Sequence, residues 1–231
     1  MSKPKKRQYQ RPNQQQAKKN GSNKTLIFLT LAIVAVIAVV ILGINNQSKP
    51  VSFDYASLPM QGEADAPVKI VEFGDYKCPA CQSFAQDFKP QLEADFINTG
   101  KASFYFINYT FLGPDSTTAA LAAESVYHQN NDAFWDYYKI LYDNQKDERI
   151  VWATTDYLVQ LAQDAKLPID YDLLRSDIEN KTYQKEVDKD NALVRPMNVT
   201  GTPSIFINGK KTSISSYEDM KAMIEKAIDK G

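Results

Sequence analysis

Residues 68–81 read VKIVEFGDYKCPAC and contain both cysteines of the 231-residue chain, Cys78 and Cys81. The apolar run 68–73 has the composition of a strand, and the segment from Pro79 onward favours a helix, in which proline is common in the first turn. A Cys-x-x-Cys pair at a strand-to-helix junction is typical of a disulfide that opens and closes reversibly. The stretch therefore predicts redox chemistry at the start of a helix.

Two other uses of the cysteine pair fit this chain less well. A purely structural disulfide that closes a loop of about four residues would contribute only about 2 kcal/mol to stability. A closed zinc site takes four cysteine or histidine ligands, and the chain offers His128 as its only histidine. A two-cysteine copper(I) site stays open, although no methionine cluster accompanies the pair. We expect no metal, and no cofactor besides the redox-active disulfide itself.

The N-terminal part of the chain predicts a membrane anchor. Residues 1–24 carry eight basic and no acidic side chains and are rich in Gln and Asn, so we expect a disordered cytoplasmic tail. Residues 25–44 carry no charge, and as a helix they would span about 30 Å, the thickness of a bilayer core. Basic residues flank this segment only on its N-terminal side. Because positively charged flanks stay in the cytoplasm, we expect residue 45 onward to lie outside the cell. A cleavable signal peptide is the alternative. Signal peptides usually have a shorter apolar region, followed by a cleavage site of small residues, and residues 25–47 do not show that pattern.

Beyond residue 44 the chain is acidic. The eight basic residues of the tail leave 19 of the 27 Lys and Arg for residues 45–231, against all 28 Asp and Glu, a net charge of −9. This balance suits an exported soluble domain and argues against nucleic acid as a partner. The exterior is oxidising, and proteins there use thiol pairs to make disulfides.

Apolar patterning predicts one α/β domain after a linker. Residues 45–67 contain three prolines and a glycine, which break any regular pattern, and predict the linker. Strand-like runs lie at 68–74, 102–108, 204–207 and 212–214. Helical periodicity lies at 79–98, at 217–230 and, with no intervening strand, at several places between 115 and 194.

The order of these elements predicts one sheet built from residues 68–108 and 196–231, with an all-helical subdomain inserted at 109–195. The first two strands are joined across a helix, so we expect them to be parallel. The Asn208-Gly209 dipeptide favours a tight hairpin between the last two strands.

These features together resemble the DsbA family of thiol-disulfide oxidoreductases, in which a helical domain interrupts a thioredoxin fold. Residues 78–81 resemble the family's Cys-Pro-x-Cys motif, and residues 199–209, VTGTPSIFING, resemble its Gly-Thr-Pro loop, whose proline is cis. Glu72 falls where the family has a buried acid. The resemblance covers about residues 67–230. The arrangement with a membrane anchor is similar to that of the BdbD-like oxidases of Gram-positive bacteria.

The resemblance implies a role for each site residue. Cys78, at the helix N-terminus, is expected to be the sulfur that a substrate thiolate attacks, and Cys81 the shielded sulfur that closes the ring again. We expect Glu72 to relay a proton to or from Cys81, and Pro203 to lie beside the sulfurs. Three residues are expected to contact substrate: Thr202, Pro79 and Ala80. Ala80 replaces a histidine of the strongest oxidants in the family, which leaves the oxidising strength open.

The expected function is an extracytoplasmic enzyme that introduces disulfide bonds into exported proteins. Its substrates would be reduced exported proteins, and a quinone-linked membrane thiol oxidase would recharge it. Two alternatives remain at this point. One is a reductase or isomerase on the same scaffold, and the other is a non-catalytic module that binds copper or peptides.

Overall fold

The computed structural model describes residues 27–36 and 50–230. The chain divides into two units, residues 1–48 and residues 49–231. In the first unit, residues 27–36 form a helix with exposed side chains. Within the described residues, no helix is both long and apolar enough to cross a membrane. Of the predicted anchor, 25–44, residues 25–26 and 37–44 lie outside the described residues, as does the predicted tail, 1–24.

The second unit is built on a five-stranded sheet of order β1-β3-β2-β4-β5. Its strands are β1 (Met60–Gln61), β2 (Val68–Gly74), β3 (Ala102–Asn108), β4 (Ser204–Ile207) and β5 (Lys210–Thr212). β2 and β3 are parallel, as predicted, and every other neighbouring pair is antiparallel. Strands β2 and β3 are almost entirely buried, which explains their continuous apolar runs.

Besides a short 3₁₀ helix at Tyr55–Ser57, the described part of the second unit contains seven helices. They are α1 (residues 79–97), α2 (Pro114–Gln129), α3 (Asn131–Asp143), α4 (Thr155–Asp164), α5 (Tyr171–Asn180), α6 (Gln184–Val194) and α7 (Tyr217–Ile228). Helices α2 to α6 form the inserted helical block that the sequence predicts, and α2 contacts each of the other four. Four helices, α3, α4, α5 and α7, have an N-cap side chain that accepts a hydrogen bond from a backbone N–H group. These N-caps are Asn130, Thr154, Asp170 and Ser216. Helix α3 also packs on α1, which brings the block against the start of that helix.

Helix α1 contains one departure from the predicted regular helix. Between α-helical turns it has two π-helical turns, Phe84–Phe88 and Glu93–Ile97. In the first, the N–H of Lys89 bonds to the carbonyl of Phe84, five residues back. The wider turn places Lys89, rather than Phe88, on the buried face after Phe84. A lysine thereby enters the core.

Two predicted boundaries are wrong. The linker prediction for 45–67 fails over part of its length, because Phe53 and Leu58 are buried and β1 joins the sheet. The side chain of Asn131 bonds both backbone groups of Met60, which fixes this short edge strand. The last strand is Lys210–Thr212 rather than 212–214, because the positive φ angles of the Asn208-Gly209 turn reverse the chain within two residues. Residues 45–49 lie outside the described residues.

Candidate active site

Cys78 is the N-cap of α1, and Cys81 lies one turn further along it. Both are free thiols; Cys78 is 7% exposed and Cys81 is fully buried. Gln145, in the helical block, binds the loop that leads to Cys78. Its Nε2 donates hydrogen bonds to the carbonyls of Tyr76 at 2.8 Å and of Cys78 at 3.1 Å. The two sulfurs therefore differ in access in the direction that the sequence predicts.

The two cysteines also differ in acidity. A hydrogen bond from the Cys81 thiol, with smaller contributions from the Thr202 side chain and from the amides of Cys81 and Ala80, lowers the pKa of Cys78 to about 6, although burial opposes the change. Burial, the same bond to Cys78 and the charge of Glu72 raise the pKa of Cys81 well above its usual value. At neutral pH the pair thus holds one thiolate, on Cys78.

The proline loop meets the cysteines because β4 runs antiparallel to β2. Phe73, near the end of β2, pairs with Ser204 at the start of β4, so the residues just before Ser204 lie beside Cys78. The Thr202–Pro203 peptide bond is cis, as the resemblance implies, and the Thr202 carbonyl oxygen lies 3.4 Å from Cys78 Sγ.

The remaining predicted substrate contacts lie at the surface around this point. Pro79 and Ala80 are exposed, and Thr202 and Pro203 are half-buried. All four therefore border Cys78 on the side that is open to solvent.

Glu72 lies in the middle of β2 and has no exposed surface. Its Oε2 accepts a hydrogen bond from the Tyr138 hydroxyl at 2.7 Å, and its Oε1 is buried without a hydrogen-bond partner. Burial raises the pKa of Glu72 to about 8, although the Tyr138 bond and the charge of Lys89 act in the opposite direction. A carboxyl with this pKa exchanges protons readily near neutral pH.

Sequence reasoning missed the buried ion pair next to the cysteines. Lys77 Nζ lies 2.6 Å from Asp115 Oδ1 and also donates to the carbonyl of Ile150 at 3.0 Å. Asp115 Oδ2 accepts the N–H groups of Trp152 and Ala153. The pair ties the residue before Cys78 to the helical block. No local sequence pattern predicts this ion pair, because Lys77 and Asp115 lie in separate segments of the chain.

Two further buried carboxyls, Glu124 and Asp190, meet at the end of β3. Asn108 donates to both, at 2.7 Å to Glu124 Oε1 and at 3.1 Å to Asp190 Oδ2. Burial raises the pKa of Glu124 to about 8 and that of Asp190 to about 6. Among the residues that the structure describes, no group of three or more His, Cys, Asp or Glu side chains is placed to hold a metal ion.

Comparison with known proteins agrees with this geometry. A family profile described as thioredoxin matches residues 57–226, which is most of the chain. The chain belongs to the thioredoxin family. Its relatives in that family include a probable disulfide bond formation protein D of Bacillus cereus, 35% identical over 215 residues that cover 90% of this chain and 99% of that protein.

Other known proteins are similar to this chain in sequence or in structure. Disulfide bond formation protein D of Bacillus subtilis is 39% identical over 171 residues, which cover 74% of this chain and 77% of that protein. The crystal structure of oxidised BdbD from Bacillus subtilis superposes with a TM-score of 0.75 at 36% identity, over 80% of this chain and all of that one. Chlamydia trachomatis DsbA shares the fold, with a TM-score of 0.68 at 24% identity over 77% and 94% of the two chains.

Proposed function

We propose that this thioredoxin-family protein introduces disulfide bonds into exported proteins by thiol–disulfide exchange through Cys78 and Cys81. The observation that carries the proposal is the asymmetry of the pair, with a stabilised thiolate on Cys78 and a buried, weakly acidic Cys81. A stabilised thiolate lowers the free energy of the dithiol form and so makes the disulfide form more oxidising. Its relatives named disulfide bond formation protein D support the same direction of transfer.

The exchange starts from the Cys78–Cys81 disulfide. A substrate thiolate attacks Cys78 Sγ, the Cys78–Cys81 bond breaks, and a substrate–Cys78 mixed disulfide forms. Cys81 leaves with the electron pair and takes a proton, for which the neutral carboxyl of Glu72 is the proposed donor. A second substrate thiolate then attacks the substrate sulfur and releases Cys78 as its stabilised thiolate. The substrate loses two electrons, and the protein gains them as a dithiol.

Substrate would bind along the surface that borders Cys78. The backbone of Thr202, beside Cys78 Sγ, offers hydrogen bonds to an extended peptide in the manner of an added strand. Pro79 and Ala80, which follow Cys78 in the chain, are exposed and available to the same peptide. These contacts involve backbone and small side chains, so they suit many different substrate sequences.

The same proposal places the enzyme outside the cytoplasm, anchored by residues 25–44 and recharged by a quinone-linked membrane thiol oxidase. Support comes from the uncharged run itself and from the basic residues that precede it. Expressed in full, the protein should resist extraction by salt and dissolve in detergent, and protease added to spheroplasts should degrade the catalytic domain. Release by salt, or protection from external protease, would contradict this placement.

The activity is tested with the full chain in detergent. The reduction potential of the cysteine pair is measured in glutathione buffers, and turnover is followed with a reduced dithiol peptide and excess glutathione disulfide. A potential above about −160 mV with many turnovers supports a disulfide donor, since DsbA lies at about −120 mV. A potential near −270 mV, the value of thioredoxin, would favour the reductase alternative. Stoichiometric binding without turnover would favour the binding module.

Cysteine variants assign the roles within the same assay. When the peptide carries a single thiol, Cys81→Ala should accumulate the mixed disulfide, because neither Cys81 nor a second peptide thiol is there to displace it. Cys78→Ala should form little, because Cys81 is fully buried. Equal trapping by the two variants would contradict the proposed roles.

A further inference from the structure

A second buried lysine, Lys89, lies in the core near the active-site acid. Its side chain is only 4% exposed. The ammonium donates to Gln61 Oε1 at 2.7 Å and forms an ion pair with Glu93, which is itself partly exposed. It also lies over three aromatic rings, at 4.9 Å from Trp135, 5.3 Å from Tyr138 and 5.4 Å from Phe104.

This placement is costly, which makes a purely structural role a weak explanation. Burying an ammonium costs several kcal/mol, and an apolar side chain of similar length would pack in the same aromatic cage without that cost. Burial accordingly lowers the pKa of Lys89, against the pull of Glu93 and Glu72. The lysine reaches the cage only because the π-helical turn of α1 rotates it inward.

Tyr138 connects the ammonium to the active-site acid. Its ring is one wall of the cage, and its hydroxyl donates to Glu72 Oε2 at 2.7 Å. The charge of Lys89 thus acts on Glu72 from across a single side chain. The titratable groups that interact with Glu72 come from the cysteine loop, α1 and α3, and they are Tyr76, Cys78, Cys81, Lys89, Tyr138 and Tyr142.

Of these groups, Lys89 is the cation. The tyrosines stay neutral because burial raises their pKa values well above the usual one. The Cys78 thiolate is an anion and disfavours a second negative charge on Glu72. The charge that favours the carboxylate therefore comes from Lys89.

We propose that Lys89 is a positioning residue for the redox reaction, whose buried ammonium, held over the Tyr138 ring, keeps the carboxylate form of Glu72 accessible. The inference rests on the proposed function, in which Glu72 gives a proton to Cys81 when the disulfide opens. If the carboxylate form of Glu72 were inaccessible, the carboxyl could neither give its proton to Cys81 nor take one back when Cys81 reacts again. Lys89 keeps both directions open near neutral pH.

The test compares full-length Lys89→Met with Lys139→Met. Lys139 is an exposed lysine in an ion pair on α3, the helix that carries Tyr138, so it matches the loss of a charge without the cage. Infrared difference spectroscopy follows the carboxyl C=O band that Glu72→Gln removes. Lys89→Met should shift the midpoint of this band upward by about 1 pH unit or more, and Lys139→Met should leave it unchanged.

A kinetic arm uses the pH profile of the reaction of the reduced protein with glutathione disulfide. Lys89→Met should displace the limb that Glu72 controls, and the displacement should disappear in the Glu72→Gln background. An unshifted infrared midpoint in folded Lys89→Met, or an equal displacement without Glu72, would overturn the inference. If Lys89→Met does not fold, Lys89→Gln gives the same comparison with a neutral donor. A protein that lacks oxidase turnover would refute the proposed function, whereas the infrared midpoint would still decide the link between Lys89 and Glu72.

Discussion

The acidity of Cys78 depends first on the Cys81 thiol, so two substitutions of Cys81 separate that hydrogen bond from everything else at the helix N-terminus. The local environment lowers the pKa of Cys78 from an ordinary 9 to about 6, a difference of about 4 kcal/mol. A hydrogen bond to a charged group contributes about 1.5–3 kcal/mol of this. Cys81→Ala should therefore raise the midpoint of Cys78 by about 1–2 pH units. Cys81→Ser keeps a donor and should titrate close to the native value.

The assay is the pH dependence of thiolate absorbance in the ultraviolet, checked by the rate at which iodoacetamide alkylates Cys78. With a midpoint near 6, about nine in ten Cys78 side chains are thiolates at pH 7, and in Cys81→Ala this should fall to about half or less. Coincident titration of the alanine and serine variants would refute the reasoning. In that case the backbone amides of Ala80 and Cys81, and Thr202, would account for the acidity.

The same numbers limit how much oxidising power Cys78 supplies. At pH 7, a thiol with a pKa of about 6 rather than 9 stabilises the dithiol by about 1.4 kcal/mol, which raises the reduction potential by about 30 mV. Thioredoxin and DsbA differ by about 150 mV. A measured potential near that of DsbA would therefore require a further contribution that stabilises the dithiol form relative to the disulfide form.

Three further predictions concern stability. Glu72→Gln should raise the thermal unfolding midpoint at pH 8 but not at pH 4. The pKa of the Glu72 carboxyl rises from 4.5 in the unfolded chain to about 8 in the folded protein, so the carboxyl destabilises the fold as the pH rises from 4.5 to 8. The loss of folding free energy is at most about 5 kcal/mol. Glu124→Gln should do the same in a buffer whose chelator removes divalent cations that carboxylates bind. Lys77→Met should cost about 3–5 kcal/mol in urea unfolding by leaving Asp115 buried and unpaired. The double variant with Asp115→Asn should recover much of it, because Asn removes the charge and keeps an acceptor for the N–H groups of Trp152 and Ala153.

Each stability prediction has a contrary outcome. A gain in Glu72→Gln that is the same at pH 4 and pH 8 would indicate better packing rather than removal of a titrating group. A pH-independent effect of Glu124→Gln would have the same meaning at the end of β3. A Lys77→Met variant as stable as the native protein would mean that Asp115 is satisfied by the backbone N–H groups of Trp152 and Ala153 alone.

Local sequence was sufficient for the elements that carry their own pattern. β2, β3 and β4 begin and end where their apolar runs do, because strands buried on both faces need continuous apolar residues. The Cys-x-x-Cys pair at the end of β2 and the helical block after β3 followed from the same kind of evidence. The resemblance added the proline loop beside the cysteines, which pairing of β4 with β2 brings there.

Tertiary structure decided which charged residues are buried. By their neighbours alone, Glu72, Lys77 and Lys89 look alike, as charges beside apolar residues, and only the family resemblance marked Glu72 as buried. Each is buried because a residue from a distant segment forms a hydrogen bond or an ion pair with it. The partner is Tyr138 for Glu72, Asp115 for Lys77, and Gln61 with the aromatic cage for Lys89.

The edge strand β1 follows the same rule, since Asn131 and Trp135 of α3 hold Met60 in place. Apolar periodicity records which face of an element is buried, because burial of apolar surface depends on area alone and needs no particular partner. Burial of a charge or of an isolated backbone group requires a specific partner at hydrogen-bond distance. The sequence by itself therefore determined strands β2, β3 and β4, the helices and the reactive pair, whereas the folded chain decided the edge strand β1, the acidity of Cys78 and the buried network around Glu72.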